Sequence, residues 1–454
     1  MLGKTERIHF IGIGGIGMSG LAAVFHNLGF VVTGSDINRT EITRDLARMG
    51  VRIRYRHRRE NVAGVDVAVY STAIRPDNPE AAEARRLGIP LIHRGELLAE
   101  LTRIKTSICI SGTHGKTTTT SMISEVLQAD GRQPTAVIGG IVKGKSQARV
   151  GKGEFLVCEA DESDKSFLKL LPAYAVITNI EPEHLEHYKN FEEIKESFVH
   201  FANHVPFWGC VFLGSDMPTN LEIRERIRRK SVLYGFNGPA VLRATDVRRT
   251  GFGSRFRVSY HGRPLGSFAL NLPGRHNVAN GLAAIGIGLE LGVPINLIRK
   301  SLAGFMGVRR RIECVGEVNA VKVFDDYGHH PTEIAVTLQT LREYFPERRI
   351  ISVFQPHRYT RTYYLFDRFA LAFMAADSVI VTDIYPAHEL PIPGVTAQAL
   401  AARIRKEQDE IYYEPDFDRI IKRLKRTVRP GDIVVIQGAG DINQIAKTLV
   451  RELR

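Results

Sequence analysis

Apolar runs of four to seven residues recur along this chain, each followed by Gly, Asp or His and then by an amphipathic helical pattern. That alternation predicts an α/β fold in which parallel sheets are flanked by helices. The runs fall into three groups. The first holds Ile8–Ile13, Val31–Thr33 and Val65–Tyr70. The second holds Ser107–Ile110, Phe155–Cys158 and Tyr174–Thr178. The third holds Val321–Phe324, Ile350–Phe354, Ser378–Thr382 and Ile433–Ile436. In Arg52–Arg59, Val51, Ile53 and Tyr55 alternate with arginines, the pattern of a strand with one solvated face. Arg224–Lys230 has the spacing of an exposed helix with Ile223 and Ile227 as its apolar side. Val278–Ile295 approaches membrane-spanning length. It contains Asn280, Glu290 and several glycines, so a buried helix is expected and no membrane segment.

The length of 454 residues agrees with three groups, since it allows about three domains of ordinary size. With 44% apolar and 24% charged residues the chain has a soluble globular composition. Cys109, Cys158, Cys210 and Cys314 are widely spaced, which reads as reduced, mostly buried cysteines of a cytoplasmic protein. Met1–Glu6 is charged and lacks a signal-peptide design. The net charge of +13 brings nucleic acid into view as a partner. No nucleic-acid motif accompanies the arginines, so solvated faces with a general attraction for phosphorylated substrates are expected instead.

Candidate chemistry sits at the carboxyl ends of the apolar runs, where open α/β sheets bind ligands. Gly12-Ile13-Gly14-Gly15-Ile16-Gly17 is a full G-x-G-x-x-G, and Ser35-Asp36 ends the next run. On spacing alone this is a dinucleotide fingerprint, and an NAD-dependent oxidoreductase stays open at this point. Ser71-Thr72-Ala73 ends the third run with small residues suited to a phosphate or a close backbone approach. Gly112-Thr113-His114-Gly115-Lys116-Thr117-Thr118 is a phosphate loop leading into a helix. Lys116 would reach the β/γ-phosphates and Thr117 would hold Mg²⁺. A standard Walker A would have Gly where this chain has Ile110, so the loop is a shorter variant. Glu159 ends the neighbouring run, the usual place for a metal-binding carboxylate, while Glu162 and Asp164 read as solvated loop charges. His184 stands at a strand's carboxyl edge as a candidate ligand. His276, Asn277 and Asn280 gather at a helix start, suited to a base or phosphate. A P-loop switch or nucleic-acid binder is a further alternative, disfavoured by the third group's Asp326, His329 and Arg358 clusters.

Together these segments resemble the Mur ligases of peptidoglycan synthesis. The resemblance runs from residue 8 to about 442 and rests on IGIGGIGMSG (11–20), GTHGKTTTT (112–120), EADESD (159–164), NIEPEH (179–184), GRHNVAN (274–280), DDYGHHPTE (325–333) and FQPHRYTRT (354–362). The loop is common to the superfamily, folylpolyglutamate synthetase included. DDYGHHPTE and QPHRYTRT look more like the alanine-adding branch and its peptide-recycling relative, and Met18-Ser19-Gly20 favours the former. The resemblance implies three domains, 1–106, 107–309 and 310–454: Rossmann-like, P-loop ATPase and Rossmann-like. It implies ATP- and Mg²⁺-dependent ligation of L-alanine to the carboxylate of UDP-N-acetylmuramate through an acyl phosphate, with no nucleic-acid or membrane partner, by a monomer or weak homodimer. Gly14, Gly15, Ile16, Gly17, Ser35, Asp36, Ser71, Thr72 and Ala73 would then contact UDP rather than NAD. Thr117, Glu159 and His184 would hold metal. Lys116 and Arg311 (or Arg310 beside it) would supply positive charge, and Asp326 would orient or deprotonate the alanine ammonium. His329, His357, Arg358 and Arg361 would face the muramate carboxylate or the alanine. Relatives usually have Gly-His where this chain has Arg56-His57, and often Asp where it has Glu183. Hinges are expected near 101–107 and 304–312.

Overall fold

A computed structural model describes residues 3–140, 142–143, 148–184, 187–387 and 389–454. Three sheets carry the fold, each built from the apolar runs of one group. The first orders its strands β3-β2-β1-β4-β5, all parallel. These are β1 (Arg7–Ile11), β2 (Val31–Ser35), β3 (Arg52–Arg54), β4 (Val67–Tyr70) and β5 (Leu91–His93). Ile8, Phe10, Ile11, Ala68 and Val69 are fully buried, which explains why these strands read as continuous apolar runs.

This sheet also buries a charge. Asn78 caps the helix Pro79–Arg86, and that turn places Glu80 in the interior with no exposed surface. Its carboxylate accepts from Ser35 Oγ at 2.5 Å, from Arg58 N at 3.2 Å and from the Asn61 amide. His9 Nε2 and His57 Nδ1 each lie 3.4 Å away. Burial pushes the Glu80 carboxyl upward, but hydrogen bonds from His57, His9, Ser35 and Asn61 outweigh it and hold the group well below the usual carboxylate range. The Glu80 hydrogen bond in turn raises His57 against the lowering effect of burial.

The second sheet comprises β6 (Thr106–Ser111), β7 (Thr135–Val137), β8 (Ala148–Arg149), β9 (Phe155–Glu159), β10 (Tyr174–Ile177), β11 (Cys210–Gly214), β12 (Ser231–Gly235), β13 (Leu242–Thr250), β14 (Gly253–Tyr260) and β15 (Arg263–Leu270). Their order is β15-β14-β13-β12-β11-β10-β6-β9-β7-β8. The antiparallel run β13–β15 is absent from the sequence reading, although Phe256, Val258, Phe268 and Leu270 alternate inward as strand residues do. The helix expected across Arg224–Lys230 stops at Arg224. Asn203 captures the following turn instead, accepting from Arg228 N and donating to Arg226 O. The run from Val278 is a buried helix, Arg275–Glu290, broken from the next helix at Gly292 with φ 74°. No helix among the described residues is long and apolar enough to cross a membrane. Cys109, Cys158 and Cys210 are buried and Cys314 is exposed.

The third sheet runs β16-β17-β21-β18-β19-β20, from β16 (Glu313–Val318), β17 (Val321–Asp326), β18 (Ile350–Phe354), β19 (Ser378–Val381), β20 (Ile411–Tyr413) and β21 (Ile433–Gln437). Only β16 is antiparallel. Val323, Val353, Val434, Ile436, Ile445 and Leu449 form its core.

The chain packs as two compact units. One holds the first and second sheets; the other holds Val308–Arg454 together with Glu183 and His184. The division falls at Gly307/Val308. Within the first unit Arg94 meets Asp161 at 2.7 Å, His93 meets Asp164 at 3.6 Å, and Thr102 Oγ accepts from Leu171 N at 3.1 Å.

Candidate active site

In the first unit the phosphate loop leaves β6 and enters the helix Lys116–Ala129. Gly112 and Gly115 take φ of 127° and 85°, in the region open to glycine. The loop is strapped from the end of β10. Asn179 accepts from Thr113 N at 2.9 Å and His114 N at 2.8 Å, and Thr178 Oγ donates to His114 O at 2.6 Å. The Thr113 and His114 amides are therefore engaged by protein. Lys116 Nζ folds back over the loop, donating to Gly112 O at 2.5 Å and to Glu162 Oε1 at 2.7 Å. An anionic phosphate would compete for this same ammonium.

Glu162 is buried, not the solvated acid the sequence suggested, and Asp164 pairs with His93. Both lie in a tight turn after β9 that faces inward; Tyr188 Oη donates to Glu162 O at 2.6 Å. Glu159 ends β9 in register with Ile110 of β6, and its Oε1 accepts from Gly139 N at 2.6 Å. Thr117 and Thr118 are buried in the helix's first turn. Hydroxyl and carboxylate oxygens beside a phosphate loop are the donor chemistry a magnesium ion takes.

The segment at 274–280 packs on the loop. Thr119 Oγ donates to Asn280 Oδ1 at 3.1 Å, Asn280 to Asn277 Oδ1 at 3.4 Å, and Asn277 to Pro273 O at 2.7 Å. His276 lies half-buried in the first turn of Arg275–Glu290. A Cβ on Gly115 would lie 2.6 Å from Asn280 Oδ1. Gly115→Ala is therefore expected to displace Asn280 and strain the backbone by about 1–3 kcal/mol. Steady-state kinetics should show KM for ATP raised about tenfold or more, with the fold intact by circular dichroism.

At the first sheet the glycine turn is fixed by Asp36, whose Oδ2 accepts from Gly14 N at 2.8 Å, while Gly12 N and Ile13 N both donate to Ser35 O at 2.9 Å. Gly15 caps the helix Ile16–Asn27, which also carries Gly17. The Ser35 hydroxyl is committed to Glu80. Ser71 is half-buried and Thr72 and Ala73 are exposed beyond β4.

In the second unit Asp326 is buried at the end of β17. Its carboxylate accepts from Ile312 N at 2.8 Å, Gly328 N at 2.9 Å and Thr337 Oγ at 3.1 Å. Burial raises its carboxyl, against the neighbouring Arg311. Arg310, at φ 59°, and Arg311 lie over the Tyr327 ring at 5.0 and 5.3 Å, and Arg311 donates to Glu333 at 3.3 Å. His329 and His357 meet edge to face at 5.5 Å. His329 Nδ1 donates to Tyr327 O at 2.9 Å, which leaves Nε2 with a lone pair. His357 Nδ1 accepts from Arg361 Nη1 at 3.1 Å, which puts its proton on Nε2. Burial, reinforced by Arg361, lowers His329 to about 3. Burial, with His329 and the arginines, lowers His357 to about 2. Both rings are therefore neutral at physiological pH. Arg361, itself buried, holds Glu183 at 2.8 Å, and Arg358 Nη2 lies 3.3 Å from His184 Nδ1.

Three family models match consecutive stretches: the Mur ligase family catalytic domain over 7–106, the Mur ligase middle domain over 110–288, and the Mur ligase glutamate ligase domain over 310–440. The chain belongs to the Mur ligase family. It is 49% identical to the UDP-N-acetylmuramate–L-alanine ligase of Geobacter sp. (strain M21), covering 100% of this chain and 99% of that one. It is 50% identical to the enzyme of the same name from Geotalea uraniireducens (strain Rf4), with the same coverage. Its fold matches the UDP-N-acetylmuramate–alanine ligase of Thermotoga maritima with a TM-score of 0.84 at 30% identity, covering 98% of each chain.

Several polar residues around this Mur ligase's site were not legible as functional: Asn179 and Thr178, which strap the loop, Glu162, which receives Lys116, and Arg94, which pairs with Asp161. Position in EADESD was the only signal for Glu162. Arg94 carried none, because its role depends on Asp161 from the next sheet.

Proposed function

We propose that this Mur ligase joins L-alanine to the carboxylate of UDP-N-acetylmuramate, consuming ATP and giving UDP-N-acetylmuramoyl-L-alanine, ADP and phosphate, in the cytoplasm. Near-50% identity along the whole length to ligases of that name carries the reading. The domain limits proposed are 1–106 for UDP-N-acetylmuramate, 107–309 for ATP and 310–454 for the amino acid.

A carboxylate repels nucleophiles and has no adequate leaving group. Transfer of the γ-phosphoryl group to it gives an acyl phosphate; the neutral amine of alanine attacks that carbonyl, and phosphate leaves. Phosphoryl transfer needs positioning and charge neutralisation more than covalent help. Lys116 exchanges Glu162 for the phosphates, and Arg311 adds a second positive charge. Thr117, Glu159 and His184 would hold magnesium, which would neutralise phosphate charge when bound. His276, Asn277 and Asn280 contact the nucleotide. Gly14, Gly15, Ile16, Gly17, Asp36 and Ser71–Ala73 hold UDP, with Ser35 contributing through its backbone.

Asp326 works as a positioning residue, since its oxygens hold the 310–312 turn that aims Arg311. The neutral rings suit the amino acid: His329 Nε2 accepts from the ammonium, and His357 Nε2–H donates to a carboxylate beside Arg358 and Arg361.

The test is ADP release with UDP-N-acetylmuramate against L-alanine, glycine, L-serine and an L-Ala-D-Glu peptide. L-Alanine should give the highest kcat/KM. Turnover with the peptide alone would make the chain a recycling ligase, and nicotinamide binding without ATP dependence would overturn the ligase reading.

A further inference from the structure

The helix Phe191–Asn203 ends in two histidines that the ligation does not use. His200 lies in its last turn and His204 is the C-cap, four residues on, so both rings project from one face. Their Nε2 atoms are 3.1 Å apart. Two imidazole nitrogens in adjacent positions on a metal, each bonded at about 2.0–2.1 Å, are themselves separated by roughly 2.9–3.4 Å. The pair is already set at that bite.

A second observation fixes which atom faces the ion. His204 Nδ1 lies 3.0 Å from Leu170 O and donates its proton there, so Nε2 carries the lone pair. Anchoring one ring N–H on a backbone carbonyl is how histidine ligands of metals are commonly oriented. His200 is exposed, so an ion has access, and its Nε2 proton can pass through water to Nδ1. Glu196, one turn earlier, is ion-paired with Arg226.

We propose that His200 and His204 form a bidentate surface site for a divalent transition-metal ion, with water in the remaining positions. Imidazole nitrogens select Zn²⁺, Ni²⁺ or Cu²⁺ over Mg²⁺, so the site is chemically separate from the magnesium requirement of the ligation.

Ni²⁺ titration of the untagged full-length protein by calorimetry, in excess Mg²⁺, tests this. The protein should bind Ni²⁺, and His200→Asn or His204→Asn should each weaken that binding by about tenfold or more as the chelate is lost. Alanine-dependent turnover should be unchanged. Equal Ni²⁺ affinity in both variants would overturn the proposal. Should a variant misfold, Cu²⁺ resonance spectra of the parent protein at one equivalent decide: two equatorial nitrogens support the site, and one or none overturns it.

Discussion

Lys116→Ala is expected to remove alanine-dependent ADP release, lowering kcat by about 10²–10³-fold or more. The ammonium is the loop's own charge for the phosphates, and it sits over Gly112 and Thr113 within 2.7 Å of Glu162. The variant has a second effect that must be separated from the first. Glu162 is buried, so deleting the ammonium it pairs with should cost stability. Adding Glu162→Gln should restore the melting temperature without restoring turnover. Recovery of both would mean that Lys116 is structural, and retained turnover in Lys116→Ala would remove the ATP assignment.

Glu80→Ala should be the most destabilising single change in the first domain, by about 3–5 kcal/mol, because Ser35, Asn61, Arg58 N and the two histidines lose their common acceptor. Urea denaturation measures it; a loss under about 1 kcal/mol would contradict it. The same network sets a pH dependence. Glu80 is depressed in the fold, so its contribution is present above its unfolded pKa, near 4.3, and is lost as pH falls through the lower folded value. His57 is raised, so its contribution is full below about 6.5 and is lost as pH rises through the folded value. Stability should therefore decline as pH rises above about 6.5 through the raised His57 value, and Glu80→Gln should flatten that decline. UDP-N-acetylmuramate affinity should fall in Glu80→Ala as well, since Ser35, which donates to Glu80, ends β2 just before Asp36.

The three groups of apolar runs and the loop at 112–118 were legible because each is a local pattern: buried parallel strands need continuous apolar residues, and the loop needs glycine at positive φ. Partnerships set by sheet order were not. Nothing local distinguishes Glu162 from Asp161, or shows that His329, beyond β17, will meet His357, beyond β18. Glu80 carries no local signal in the sequence, and only the fold around it buries it. Arg226–Lys230 kept helical spacing but lost the helix to Asn203. Spacing alone left the glycine fingerprint open to NAD, and its reading as a UDP site rests on the family.

The most direct measurement follows oxygen. UDP-N-acetylmuramate labelled with ¹⁸O in its carboxylate should, with ATP, magnesium and L-alanine, give UDP-N-acetylmuramoyl-L-alanine and inorganic phosphate carrying one ¹⁸O. Unlabelled phosphate, or labelled phosphate formed only with a peptide acceptor, would contradict the account.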